Sequence, residues 1–270
     1  MSSDRKVHIN VTIRSGTTTA EIVEWLHKLV SAVVGIPHIR RIVVLRFNKQ
    51  IDTGESAQLN SISPQIACYQ YIPSLRGMTH DSIGWWWNVG LHHTFNTMPY
   101  PDYVLHYPFD VDWSFGKGNT VVARNTLRGF IEAVGDAQLL IGTFSTSEQI
   151  DRATPEGQHA KDRIEETIRH KIREHFPRFN YTRPRSEFFI VERDFYYDFI
   201  NDMSPDEFSD DLTIQFLICA QSKGIEIGEF RMGTYYVPPG GYTEAKEQEQ
   251  VERIVETIEW ARKKRFTSGA

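Results

Sequence analysis

Cysteine is nearly absent: Cys68 and Cys219 are the only two in 270 residues. That excludes a disulfide framework and points to a reducing compartment or to indifference to redox; a cytoplasmic protein is expected. Long apolar runs are missing as well, since no stretch supplies the ~18–20 predominantly apolar residues that a membrane span needs. The first residues, MSSDRKVHIN, lack the apolar centre of a signal peptide. Nor is there an excess of basic charge. Thirty Lys and Arg against 35 Asp and Glu leave a net charge of −5, which argues against a general nucleic-acid binder. Repeats and low-complexity tracts are also lacking. What remains is 40% hydrophobic and 24% charged residues, enough apolar material to exclude a disordered chain.

Apolar periodicity then gives the organisation. VHINVTI at 7–13 reads as a strand, and residues 17–34 as a helix with Ile22, Trp25, Leu26, Leu29, Val30 and Val33 on one stripe and Thr18 or Thr19 as N-cap. IVVLRF at 42–47 is the continuous apolar run expected of a buried parallel strand. Residues 65–71 form a weaker strand candidate, 82–95 a helix, and YVLHY at 103–107 another strand. The alternation continues with helices at 120–134, 160–175 and 211–223 and strands at 138–144, 187–191 and 225–232. A final helix covers 244–265, and Gly224 stands where a C-cap glycine is expected. This pattern predicts an α/β fold with a mostly parallel central sheet flanked by helices, in which ligands bind beyond the carboxyl ends of the strands.

Two carboxylate pairs carry the candidate chemistry. Asp110 and Asp112 are separated by one residue, and in an extended segment both side chains point to one side. Two such carboxylates suit a hard cation, Mg²⁺ or Mn²⁺, which neutralises a departing diphosphate; a solvated turn is the plain alternative. Asp210 and Asp211 open a predicted helix. Ser209 or Asp210 as N-cap with Asp211 in the first turn accounts for them structurally. A general base that takes the proton of an acceptor hydroxyl accounts for them functionally.

Other residues are open to two readings. Trp85, Trp86 and Trp87 diverge by about 100° each on a helix, so they cannot share one core; a ring could stack on a sugar or base. Adjacent His92 and His93, with His106 and Asp110 nearby, lack zinc-ligand spacing. Arg185 and Arg193 flank an apolar strand and suit either a phosphate or solvent.

The order of segments resembles the nucleotide-sugar glycosyltransferases of the GT-A fold, family 2, and within them the dolichyl-phosphate mannose synthase-like branch. The matching elements are INVTI with its helix, RIVVLRF, Trp87-Asn88-Val89-Gly90-Leu91, DYVLHYPFDVD, LLIGTFS, the 185–193 segment and SDDLTIQFLICAQSKGIEIGEFRM, over about residues 7–235. The resemblance implies a GT-A-like nucleotide-diphospho-sugar transferase fold and transfer of a sugar from a nucleotide-diphosphate sugar to an unknown acceptor. It implies Asp110 and Asp112 as metal ligands, with Asp110 also at the donor, and Asn88 at the donor site. It favours Asp211 over Asp210 as base, and places Arg231 before a flexible loop, Gly233–Tyr242, over the donor diphosphate.

The loops that hold the nucleobase and ribose in that family differ here. They read Thr12-Ile13-Arg14-Ser15 for the family's Pro-x-Tyr-Asn, and Leu45-Arg46-Phe47-Asn48 for its Asp-Asp-x-Ser. Arg14 and Asn48 are the candidate donor contacts at these places. Their divergence also supports a degenerate domain that binds a nucleotide sugar or a partner without turnover. A nucleotidyltransferase is a third reading, hinted at by Arg14-Ser15-Gly16.

The expected division is a GT-A-like domain over residues 1–242 and a C-terminal amphipathic helix and tail over 243–270. The tail carries Val251, Ile254, Val255, Ile258 and Ala261 on a stripe, and ends in Arg262-Lys263-Lys264-Arg265. Such a stripe docks on its own domain or on a partner subunit in a homo-oligomer, while its basic end suits peripheral contact with an anionic membrane.

Overall fold

Strand follows helix along almost the whole chain, and each strand's composition matches its place in the sheet. The computed structural model describes residues 5–13, 16–47, 53–71, 82–109, 120–145, 155–234, 244–264 and 266. Among these, the strands are β1 (Val7–Ile13), β2 (Ile39–Phe47), β3 (Ile66–Tyr71), β4 (Tyr103–His106), β5 (Leu139–Ser145), β6 (Phe189–Glu192) and β7 (Ile227–Thr234). The α-helices are α1 (Thr19–Val33), α2 (Thr53–Ile62), α3 (Ile83–Phe95), α4 (Thr120–Ala133), α5 (Pro155–His175), α6 (Arg193–Ile200), α7 (Leu212–Ser222) and α8 (Glu244–Lys263).

The strands form one sheet in the order β3-β2-β1-β4-β6-β5-β7. β6 runs antiparallel to both β4 and β5, and the other pairings are parallel. β1 and β4 are neighbours although the chain first turns outward from β1 to β2 and β3 and only then returns to β4. That reversal opens a crevice at the carboxyl ends of β1 and β4, where open α/β sheets bind ligands.

Period-two alternation divides the core into two layers. Val7, Ile9, Val11 and Ile13 of β1, with Tyr103, Leu105 and Ile190, face the layer containing α1 and α4. Val104, Phe189 and Val191 face the layer of α3, α5, α6, α7 and α8. Thr18 caps α1 as the sequence predicts, in a capping box: Glu21 N–H donates to Thr18 Oγ1 (3.3 Å) and Thr18 N–H to Glu21 Oε2 (2.8 Å). Gly224 ends α7 at φ +67°, a backbone that glycine adopts without strain.

The even positions of β1 are polar, and His8 and Asn10 are still buried, because α3 lies across them. A Cβ on Gly90 would come within 2.4 Å of Thr12 Cγ2 and 2.8 Å of Asn10 Oδ1, so only glycine lets the helix approach this closely. Beneath it Asn10 Nδ2 and His106 Nδ1 lie 2.9 Å apart, and Thr94 Oγ1 donates to Asn10 Oδ1 at 3.3 Å. His8 and His106 are both fully buried. Burial pushes their pKa values down, to about 4 for His8 and about 3 for His106.

Both imidazoles are therefore neutral in the folded protein while unfolded histidine titrates near 6.5. Below that value the unfolded chain takes up protons that the folded chain refuses. Stability is full above pH 6.5 and falls as the pH drops through the window toward 4 and then 3. Each histidine is expected to cost about 2 kcal/mol by pH 5. Melting curves between pH 7 and 5 check this; a flat melting temperature over that range rejects it, and His106→Phe should remove about half of the slope.

The last helix is where the amphipathic pattern needs correcting. Ile254, Ile258, Trp260 and Ala261 are buried against α5 and α7, whereas Val255 is 41% exposed. The sequence stripe placed Val255 inward; the helix presents Thr257, 1% exposed, on that face instead. Lys264 donates to Glu207 Oε2 at 2.9 Å, so part of the basic end is tied to the domain.

Candidate functional site

Three chain exits mark the carboxyl edge of the sheet. β1 ends at Ile13, β2 at Phe47, and β4 at His106, and these strands are adjacent. After β4 the chain remains anchored: Tyr107 N–H donates to Asn10 O at 2.9 Å, and Phe109 packs on Trp25 with ring centroids 4.9 Å apart. Arg14, Asn48, Asp110 and Asp112 follow these three strand ends in the sequence and lie outside the described residues, as does the expected loop from residue 235 onward.

The second carboxylate pair is described in full. The turn 208–211 joins the 3₁₀ turn Pro205–Glu207 to α7 and is pressed against the first turn of α3. A Cβ on Gly84 would lie 1.7 Å from Ser209 O, so the two backbones are in direct contact. Ser82, the N-cap of α3, donates through Oγ to Phe208 O at 2.7 Å. Ile83 N–H donates to Asp210 Oδ1 at 2.6 Å. Asp210 therefore caps α3 rather than α7, which its position in the sequence did not reveal. Its other oxygen, Oδ2, accepts from Arg253 Nη1 of α8.

Asp211 occupies the N-cap position of α7, one residue earlier than the first-turn place expected, and its side chain makes no capping bond. The carboxylate is 3% exposed overall. Oδ1 accepts from Arg185 Nε at 2.7 Å, while Oδ2 is buried without a hydrogen-bond partner. Arg185 also donates through Nη1 to Gln250 Oε1 of α8 at 2.6 Å. Its segment is held from the other side, where Ser186 Oγ donates to Gly142 O of β5 at 2.6 Å and Thr213 Oγ1 donates to Ser186 O at 2.7 Å. Because β6 is antiparallel, this segment enters it at the carboxyl end of β4 and beside the middle of β5: His106 and Ile141 both pair with Phe189. Asp211 thus sits at the same edge as the three chain exits.

The other sequence candidates separate. Asn88 is buried in α3, and its Oδ1 accepts from Tyr196 Oη at 2.8 Å, so the side chain braces α6. Arg231 lies exposed on the edge strand β7 beside Thr143. Arg193 is half-buried and committed to backbone carbonyls. It donates to Phe95 O (2.6 Å) and Pro101 O (2.9 Å), and its guanidinium stands 5.3 Å from the Phe95 ring centroid. Arg185 likewise faces a carboxylate.

The three tryptophans diverge as their spacing requires and all find protein partners. Trp85 tilts on Phe208 (5.4 Å), Trp86 stacks on Phe47 (5.3 Å) and Trp87 lies 4.6 Å from His106. His93 stacks on Tyr69 at 6.0 Å, and His92 meets the edge of Tyr197 at 6.1 Å. Among the described residues no group of three or more His, Cys, Asp or Glu side chains is placed to hold a metal ion. Arg46, assigned to the altered second loop, turns inward: fully buried, it pairs with Glu55 of α2 and donates to Thr17 O. Glu55 also accepts from Thr19 Oγ1 at 2.9 Å, which ties α2 to the start of α1.

No protein-family model matches the sequence, and no curated protein matches it. Solved structures do. A mycobacterial protein is similar over 95% of this chain and 74% of its own, with a TM-score of 0.58 at 11% identity. The glucosyl-3-phosphoglycerate synthase of M. tuberculosis is similar over 95% of this chain and 80% of its own, with a TM-score of 0.56 at 12% identity. Residues 1–349 of S. aureus TarS, in complex with UDP, are similar over 93% of this chain and 65% of that one, with a TM-score of 0.51 at 14% identity. At such identities the likeness establishes the fold. The chain has a GT-A-like nucleotide-diphospho-sugar transferase fold, with a seven-stranded, mostly parallel sheet between helical layers.

Proposed function

We propose that this protein transfers a sugar from a nucleotide-diphosphate sugar to an acceptor, with Asp211 as general base when the acceptor is a hydroxyl. The observation that carries the reading is the buried Asp211 carboxylate at the carboxyl edge of a GT-A-like sheet, one oxygen fixed by Arg185 and the other without a partner. A carboxylate oxygen left without a hydrogen-bond partner has a lone pair free for the proton of an acceptor hydroxyl. A phosphate acceptor would need no base, and Asp211 would then only position it. The fold shared with a UDP-bound TarS fragment and with a glucosyl-3-phosphoglycerate synthase supports a nucleotide-diphosphate sugar as donor. The sequence resemblance narrows this to the dolichyl-phosphate mannose synthase-like branch. The proposed transferase domain covers residues 1–242, with α8 packed into its core.

Arg14, Asn48 and Arg231 are the proposed donor contacts. Asp110 and Asp112 offer only carboxylate oxygens, the donor set that a hard cation prefers, and would hold Mg²⁺ or Mn²⁺. When bound, that ion supplies positive charge to a departing nucleoside diphosphate. Thermal-shift titration with UDP and UDP-glucose, with and without Mn²⁺, tests the reading. A nucleotide at 100 times its Kd should add about 2.7 kcal/mol of stability. Asp112→Ala should abolish the Mn²⁺-dependent part and leave the melting temperature of the free protein unchanged, and Asp110→Ala should act in the same way. Calorimetry showing undiminished Mn²⁺-dependent nucleotide binding in both variants rejects the metal site.

Binding without turnover is the second reading, and Asn88 favours it. The residue is assigned to the donor site by resemblance, yet its carboxamide oxygen accepts from Tyr196. Nucleotide binding with no sugar transfer to any acceptor class, and no donor hydrolysis, selects this reading.

A further inference from the structure

α8 meets the Asp210–Asp211 turn at two points and the arginine that holds Asp211 at a third. Gln250 Oε1 accepts from Arg185, which holds Asp211; Arg253 Nη1 donates to Asp210; and Thr257 Oγ1 lies 3.2 Å from Ser209 Oγ. Positions 250, 253 and 257 fall on one helix face and span about two turns. The same face carries the buried Ile254, Ile258 and Ala261. The hydrophobic stripe therefore docks the helix, and the polar residues between those anchors meet the turn one by one. On its far side the turn is met by the N-terminus of α3 through Ser82, Ile83 and Gly84.

We infer that α8 sets the geometry of the candidate base, with Arg253 and Gln250 as positioning residues for Asp211; this rests on the reading of Asp211 given above. An arginine free to swing beside a carboxylate engages both of its oxygens in a bidentate pair. Here Arg185 donates to Asp211 through Nε alone. Gln250 holds its Nη1 corner, so the guanidinium cannot rotate to take Oδ2 as well. Arg253 acts on the backbone: with Ile83 N–H it holds both oxygens of Asp210, and so fixes the residue that precedes Asp211. The C-terminal segment is then a working part of the site and not an appendage to it.

Amide hydrogen exchange on the full chain, without ligand, tests the clamp. In Arg253→Met the amides of Ile83 and Asp211 should exchange at least tenfold faster while those of Ile9 and Val11 in β1 keep their rates, and Arg253→Lys should restore most of the protection. Unchanged exchange at Ile83 and Asp211, or an equal rise in β1, overturns the inference. UDP release from UDP-glucose with Mn²⁺ tests the consequence for Asp211. Gln250→Leu should lower kcat at least tenfold with KM within threefold. If Asp211→Asn loses turnover while Gln250→Leu keeps it, the positioning role is wrong and the base stands. If Asp211→Asn keeps turnover, the base assignment falls, and with it the role of α8 in serving it.

Discussion

Ending the chain after Tyr242 is expected to give a protein that is insoluble or melts without cooperativity. Ile254, Ile258 and Trp260 are 0%, 4% and 8% exposed, and their loss removes roughly 4.5–9 kcal/mol of burial at ~1.5–3 kcal/mol per large apolar side chain. That compares with a net stability of about 5–15 kcal/mol for a whole domain. The loss also uncovers Ile164, Ile168 and Ile172 of α5, which share the same core layer. Circular dichroism melts and sedimentation of the truncated chain check the expectation. A truncated protein as stable as the full chain would assign the stripe to another surface, and lost liposome binding would then identify that surface as a membrane. Ile254→Ala, a milder version, should cost about 2–5 kcal/mol and remain measurable.

The elements that were legible in the sequence are those whose burial leaves a periodic trace. β2 and β4 are covered on both faces and read as nearly continuous apolar runs, β1 reads as a β-rich segment, and their order with α1 and α3 was enough to indicate the sheet. α2 was missed because Thr53–Ile62 carries few apolar positions; it is held instead by the inward pair of Glu55 and Arg46. α6 was missed because it follows β6 with no intervening loop and is rich in Phe and Tyr, residues that favour strands. α5 begins at Pro155, five residues before the predicted start, at the first-turn position where proline is preorganised for a helix.

The candidate site divides along the same line. The acidic pair at 210–211 was visible because the two residues are adjacent, but their partners were not. Arg185 stands 26 residues before Asp211, and Arg253 stands 43 residues after Asp210. No local rule connects such positions; only the antiparallel entry of β6 and the docking of α8 bring them together. For the same reason Asp210 was paired with the wrong helix. A residue just before α7 reads as a cap for α7, whereas the close approach at Gly84 puts the first turn of α3 within its reach.

Asp211→Asn is expected to lower transfer to a hydroxyl acceptor by ~10²–10⁴, the usual contribution of a general base, while donor affinity stays within a few-fold. Asparagine keeps the size of the side chain and an oxygen that can accept from Arg185 Nε, so the local geometry survives. What it removes is the charge on Oδ2 and with it the ability to take a proton. A purely structural Asp211 predicts the opposite division: turnover near normal, and a loss of stability from leaving Arg185, itself 19% exposed at the side chain, without its counter-charge. That loss should stay below the ~3–5 kcal/mol of a fully buried broken pair, because the hydrogen bond to Nε remains. Steady-state kinetics and a denaturant melt on the same preparation separate the two. Arg185→Lys sharpens the comparison, since lysine keeps the charge but loses the fixed Nε direction that points Oδ2 away. It should reduce turnover less than Asp211→Asn does and leave donor affinity unchanged. Full activity of Asp211→Asn toward a hydroxyl would exclude the base role and leave the carboxylate as the anchor of Arg185.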